Sequence, residues 1–259
     1  MPLCIVAAAL TFSGCSSTPN DPTKDWSPNK IQSEARDERD AGNFDKAIEL
    51  YEKLEGRAAG TPLAQQAQLD KAYTQYKAGE QAQALATIER FLRLHPASPA
   101  LDYALYLKGL VTFNENLGLL GSLVQQDLSE RDQKAAKESF EALREVATRF
   151  PESRYAADAR ARMTYIVNSL AQSEVHVARY YMSRGAYLAA INRAQTALSD
   201  YPTAPALEEA LAILVGSYDA LGMTQLRDDA RRVLQASYPN STFLRKASSE
   251  SSKPWWKLW

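Results

Sequence analysis

Cysteine, histidine, valine, isoleucine and long apolar runs are all scarce in this chain, and neither sign of charge prevails. The only cysteines are Cys4 and Cys15. Beyond them no disulfide can form, so the rest of the chain must be stable through burial alone. The two histidines, His95 and His176, have no cysteine or second histidine at ligand spacing, which excludes the common zinc patterns. No nucleophile elbow, phosphate loop or metalloprotease helix pattern occurs either. With 30 Lys and Arg against 31 Asp and Glu, and a formal charge of −1, there is no basic footprint for nucleic acid. The acidic pairs Asp37-Glu38 and Asp228-Asp229 read as solvated helix faces. No apolar run approaches the roughly 20 residues of a membrane span. The chain is read as neither an enzyme nor a metal or cofactor protein.

What is present begins with Leu3 to Phe12, an apolar stretch of ten residues closed by Ser13-Gly14-Cys15. That length suits a signal-peptide core, and the small residues suit a peptidase that cuts before Cys15. The pattern resembles the bacterial lipoprotein signal, in which the cysteine thiol takes a diacylglyceryl group. Two departures stand out: Phe12 replaces the usual Leu, and no Lys or Arg precedes the run, so Met1 is expected not to be the true start. An ordinary cleaved signal with an unmodified cysteine is the alternative. Lipid burial contributes about 0.8 kcal/mol per CH2, so several chains on Cys15 would hold the protein to a bilayer permanently. Ser16 and Ser17, where Asp would suggest inner-membrane retention, imply by resemblance the periplasmic face of the outer membrane. Residues 1–14 are thus the signal, and 15–27, polar with Pro19 and Pro22, an extended tether.

Ala, Leu, Gln, Glu and Arg dominate the remainder, a helix-forming mixture with little material for a sheet. Glycines recur at 42, 79, 185 and 222, the first two and the last two each 37 residues apart. Alanine follows three of them by five residues, at Ala47, Ala84 and Ala190, and proline follows three by 17, at Pro96, Pro202 and Pro239. Glycine can end a helix in the left-handed conformation, a small alanine lets paired helices approach, and proline stops the second helix. His95-Pro96-Ala97-Ser98, Phe150-Pro151-Glu152-Ser153 and Tyr238-Pro239-Asn240-Ser241 each offer a serine to cap the next helix. Ser27-Pro28, Thr61-Pro62 and Ser98-Pro99 place a capping hydroxyl before a first-turn proline. These landmarks predict an all-α solenoid of about five tetratricopeptide helix–turn–helix units. Repeats 1–3 occupy 28–152 and repeats 4–5 occupy 153–245. Asn116 to Asp132 interrupts the third unit, and one helix from about Arg154 to Arg184 should join the two halves. Its apolar seam runs through Ala159, Met163, Ile166, Leu170, Val177 and Tyr181.

Stacked pairs build a concave surface lined by first helices. Tyr73, Tyr76, Tyr103 and Tyr106 fall at i, i+3 on such helices and are candidates to line a groove for an extended, partly aromatic peptide. Residues 246–259 form a Ser/Lys-rich tail ending in Trp255, Trp256 and Trp259. Interfacial membrane contact, docking into a partner's groove and docking back on the repeats all remain open for it.

Finer matches go beyond periodicity. Gly42-Asn43-Phe44, the run Ala84 to Pro96, Leu101-Asp102-Tyr103 through Gly109-Leu110, Ser129-Glu130-Arg131-Asp132, Arg184-Gly185-Ala186-Tyr187 and Ile191-Asn192-Arg193 resemble the BamD family. These are lipoproteins of the outer-membrane β-barrel assembly machinery. The resemblance implies a scaffold whose C-terminal repeats bind the periplasmic domain of BamA, with Arg193, beside Asn192, matching an arginine that touches it. It also implies N-terminal repeats that meet unfolded outer-membrane proteins, with BamC and BamE as further partners. An adaptor lipoprotein for cell-wall or pilus assembly is the alternative; a murein enzyme would need a catalytic domain for which no stretch is left. Removing the thiol tests the anchor. Cys15→Ser should leave a soluble periplasmic protein on fractionation, and persistent membrane association would shift attention to the tryptophans.

Overall fold

The computed structural model describes residues 21–113 and 130–244. Among them are helices and no strand: α1 Pro28–Asp40, α2 Phe44–Arg57, α3 Pro62–Lys77, α4 Gln81–Leu94, α5 Leu101–Thr112, α6 Glu130–Arg149, α7 Ala156–Ser183, α8 Tyr187–Asp200, α9 Leu207–Ala220 and α10 Thr224–Ser237. They fall into five helix–turn–helix pairs of the expected tetratricopeptide kind. Cys15, Trp255, Trp256, Trp259 and most of the third unit's insertion lie outside the described residues.

The pairs reverse through one recurring turn. In the α3–α4 turn, Gly79 takes φ 81° and the Glu80 N–H donates to the Gln75 carbonyl at 2.9 Å. The same six-residue closure joins Asn43 to Glu38, Ala186 to Tyr181 and Met223 to Tyr218. It satisfies a carbonyl that the helix end would otherwise leave without a partner. The serines divide into two groups. Ser27 accepts from the Lys30 N–H, and Thr61 from the Ala64 N–H, as helix caps. Ser98 does not cap a proline-led helix, because α5 starts only at Leu101. It accepts instead from the Ala100 N–H, and Ser153 and Ser241 do the same two residues ahead. These serines fix the turn that precedes each helix rather than the helix itself.

The chain divides into two compact units, residues up to Ala67 and residues from Gln68 onward. The expected division at 152/153 falls between repeats but inside the second unit. In the first unit Ile31, Ala35, Ala47, Tyr51 and Leu54 are fully buried in one cluster with Trp26 at its edge. Of the residues read as tether, Asp21 to Trp26 are described, and they are not extended. Arg57 donates to the carbonyls of Thr23 at 2.6 Å and Trp26 at 3.0 Å, and Lys53 pairs with Asp21 at 3.0 Å, folding Asp21 to Trp26 onto α2. The Lys53 ammonium, with the Thr23 N–H and hydroxyl, holds the Asp21 carboxyl down at about 2.

Within the second unit α7 is 28 residues long, about 42 Å at 1.5 Å per residue. Its first half, through Ala159, Ile166 and Leu170, packs with Leu105, Leu143 and Val146. Its second half, through Ala171, Val175 and Ala178, packs with Ile191, Leu207 and Ile213. Where α5 meets α6, a Cβ on Gly109 would come within 2.6 Å of Leu143 Cδ2, and the Ser139 hydroxyl donates to the Gly109 carbonyl at 2.7 Å. That crossing tolerates no side chain.

Two alanine substitutions separate these causes. A Cβ on Gly79 meets nothing within 4 Å, so Gly79→Ala should cost about 1–2 kcal/mol through left-handed backbone strain alone. Gly109→Ala should cost a comparable ~1–3 kcal/mol through overpacking. In denaturant titration only the second should be rescued by Leu143→Ala.

Candidate functional site

Two groups of side chains in the second unit combine exposure with fixed geometry. The first lies where α5 meets the start of α7. The i, i+3 spacing puts Tyr103 and Tyr106 on one face of α5, and the turn that Ser153 closes delivers Tyr155 to it. The Tyr106 and Tyr155 rings stack with centroids 4.8 Å apart and planes 20° from parallel. Tyr103 lies 5.3 Å from Tyr155 on the same ledge. The Tyr106 hydroxyl donates to Asp158 Oδ2 at 2.6 Å, and Arg162, one turn further along α7, donates Nε–H to the same oxygen at 2.6 Å. The Arg154 guanidinium sits 4.7 Å above the Tyr155 ring and bonds its hydroxyl. Behind these, the Ser153 hydroxyl donates to Asp102 at 2.6 Å.

All three rings are half-buried, with Leu105, Leu143, Val146 and Ala159 beneath Tyr106 and Tyr155. Tyr73 and Tyr76 belong to the neighbouring cluster around Ile88, Leu107 and Val111, which Tyr103 also touches. The four expected tyrosines are therefore two on the ledge and two beside it. Tyr155 and Asp158 had no place in the sequence reading. The aromatic residue shortly after Pro151-Glu152-Ser153 was their available signal. A ledge of stacked rings edged by guanidinium groups can receive apolar or aromatic side chains and acidic groups.

The second group lies on α7 and α8. Ile191 is buried while Asn192 and Arg193 face outward. Arg193 Nη1 donates to Glu174 Oε2 at 3.2 Å; the arginine side chain is 46% exposed and the carboxylate side chain 7%. Nearby, burial first and then the charges of Glu174 and Asp200 push the Tyr201 hydroxyl up. Further along α7, Arg179 grips Glu209 of α9 with two bonds of 2.6 and 2.7 Å. Arg193 is thus a surface group whose inner side neutralises a buried carboxylate. Sequence reasoning passed over Glu174. The seam of α7 jumps seven residues from Leu170 to Val177, and the position it skips, four after Leu170, is this glutamate.

Among the described residues no three His, Cys, Asp or Glu gather closely enough to hold a metal ion, and no described helix is long and apolar enough to cross a membrane. His95 ends α4 with its ring 5.0 Å from Phe91, and His176 is exposed on α7.

The ledge has a measurable titration. Burial, followed by the Asp158 bond, raises Tyr106 from 10 to about 12. Burial would raise Asp158 too, but the bonds from Tyr106 and Arg162 outweigh it and its carboxyl is lowered. Because the fold holds the Tyr106 proton more tightly than the unfolded chain does, this contribution is complete below about pH 10 and lost as pH rises toward 12. In ultraviolet titration Asp158→Asn should bring one tyrosine down toward its ordinary range, and an unchanged curve would contradict the bond.

Comparison with known proteins gives these sites a setting. A family model described as YfiO, an outer membrane lipoprotein, matches residues 24–234. The outer membrane protein assembly factor BamD of Neisseria meningitidis serogroup A is 51% identical over 237 residues, covering 92% of this chain and 89% of that protein. BamD of Vibrio cholerae is 36% identical over 231 residues, covering 89% and 95%. Among solved structures, the MamA protein is similar at a TM-score of 0.38 and 18% identity, over 88% of this chain and 97% of that one. With half of its residues shared with the Neisseria protein over nearly the full length of both, the chain belongs to the BamD family of outer-membrane protein assembly factors.

Proposed function

We propose that this chain is a non-enzymatic scaffold, held at the periplasmic face of the outer membrane by lipid on Cys15, that brings unfolded outer-membrane proteins to BamA. The tyrosine ledge carries this reading. Its rings are half-exposed, and Tyr106 and Tyr155 are already stacked and held at their hydroxyls, so an extended apolar or aromatic segment can dock without ordering them first. Arg154, over the Tyr155 ring, edges it with a guanidinium, while the Arg162 charge is balanced by Asp158. Tyr73 and Tyr76 lengthen the apolar track on the adjoining cluster. Arg193 and Asn192, facing outward from α8, form the contact with the periplasmic domain of BamA, and BamC and BamE are further partners.

Capture from detergent-solubilised membranes tests the reading. The wild-type chain should retain BamA, and Arg193→Glu should reduce the amount retained about tenfold or more, as expected when like charge replaces a complementary one at an interface. The same change sets two carboxylates face to face at Glu174, so the variant should melt at a lower temperature with its helix content intact at assay temperature. Tyr106→Ala combined with Tyr155→Ala should spare BamA capture while weakening retention of a peptide from an unfolded outer-membrane protein. Wild-type capture by the arginine variant would remove Arg193 from the interface.

A further inference from the structure

A buried carboxylate on an otherwise apolar seam asks for a reason. Glu174 follows Leu170 by one helical turn and is flanked by Ala171, Val175 and Ala178, each with no exposed surface. On α8, which meets it through Arg193, Ala190, Ala194 and Ala197 are also fully buried. A leucine or methionine would fill such a site at least as well, since a buried ion pair often stabilises no more than apolar residues of similar volume. The glutamate therefore contributes something that packing alone does not.

Its geometry toward Arg193 supplies the reason. The guanidinium is a planar fork with five donors on more than one edge. Glu174 Oε2 accepts from Nη1 at 3.2 Å, while the arginine side chain keeps nearly half of its surface in solvent. An arginine on an exposed helix face ordinarily samples many rotamers, and a partner must restrict them on binding. Here the buried carboxylate engages it before any partner arrives. The neighbouring Arg179 is engaged bidentately with Glu209, so each carboxylate has its own arginine.

We infer that Glu174 is a positioning residue that holds the Arg193 guanidinium in one orientation, with its outer edge presented to a carboxylate or carbonyl of the partner. This rests on the reading of Arg193 as the BamA contact. The pair as a whole is neutral, so it adds little long-range attraction. What it adds is a pre-set hydrogen-bonding edge that rewards only a partner with an acceptor in register. Arg193→Lys would be a poor substitute, because a single ammonium cannot hold both acceptors in a fixed plane.

A double-mutant cycle on affinity for the purified periplasmic domain of BamA tests the inference, using the full chain as wild type, Glu174→Gln, Arg193→Gln and the double variant. Glu174→Gln should raise Kd about fivefold, in line with the loss of one pre-ordered side chain. Arg193→Gln should raise it further, and the double variant should bind like Arg193→Gln alone. An equal effect of Glu174→Gln with and without Arg193 would mark a plain packing role and overturn the inference, as would no effect at all. An unchanged Kd for Arg193→Gln would overturn the reading of that surface and this inference with it. Glu174→Leu guards against misfolding: it should melt at or above the wild-type temperature yet bind more weakly. Wild-type affinity in that variant would also overturn the proposal.

Discussion

Close approach of paired helices at fully buried alanines is the contact on which everything else depends. Ala47, Ala84 and Ala190 have no exposed surface, and each lies shortly after a glycine that reverses the chain. The turn sets the direction of return, and the alanine sets the distance. Together they fix where the next face of each helix points. A larger residue at any of these places would push two axes apart and forfeit dispersion contacts along the whole pair. Gly109 against Leu143 carries the same rule to its limit, where not even a methyl group fits.

That framework was legible in the sequence because each landmark has a mechanical cause that repeats. Gly79, Ala84 and Pro96 announce a turn, a crossing and a stop, and the structure uses all three. The long α7 could also be read, from an apolar seam that runs on without a glycine or proline break. Other features were hidden for equally physical reasons. Ser98 and Ser27 precede proline alike, yet Ser98 accepts from the Ala100 N–H in a separate turn because α5 begins only at Leu101. Asp21 to Trp26 look like tether by composition, but Arg57 and Lys53, some thirty residues away in sequence, bind them. Glu174 was invisible because a glutamate in a helix is ordinarily taken as solvated, and only its register betrays burial.

The two candidate surfaces share α7 as a common strut. Tyr155 and Asp158 stand at or near its start and Glu174 lies in its second half, about 24 Å along the axis from Asp158 at 1.5 Å per residue. A single helix packed on two successive clusters keeps that spacing constant. The surfaces differ in chemistry, one a ledge of stacked rings and the other a guanidinium edge beside an amide. They would suit different ligands. A scaffold that passes an unfolded chain to a second protein needs this combination of fixed spacing and separate recognition.

Site-specific photocrosslinking in intact cells addresses that division most directly. A photoreactive aromatic residue at position 103 should trap unfolded outer-membrane proteins, and the same residue at position 192 should trap BamA. Adducts that do not differ between the two positions, or BamA trapped only at the tyrosine ledge, would contradict the account.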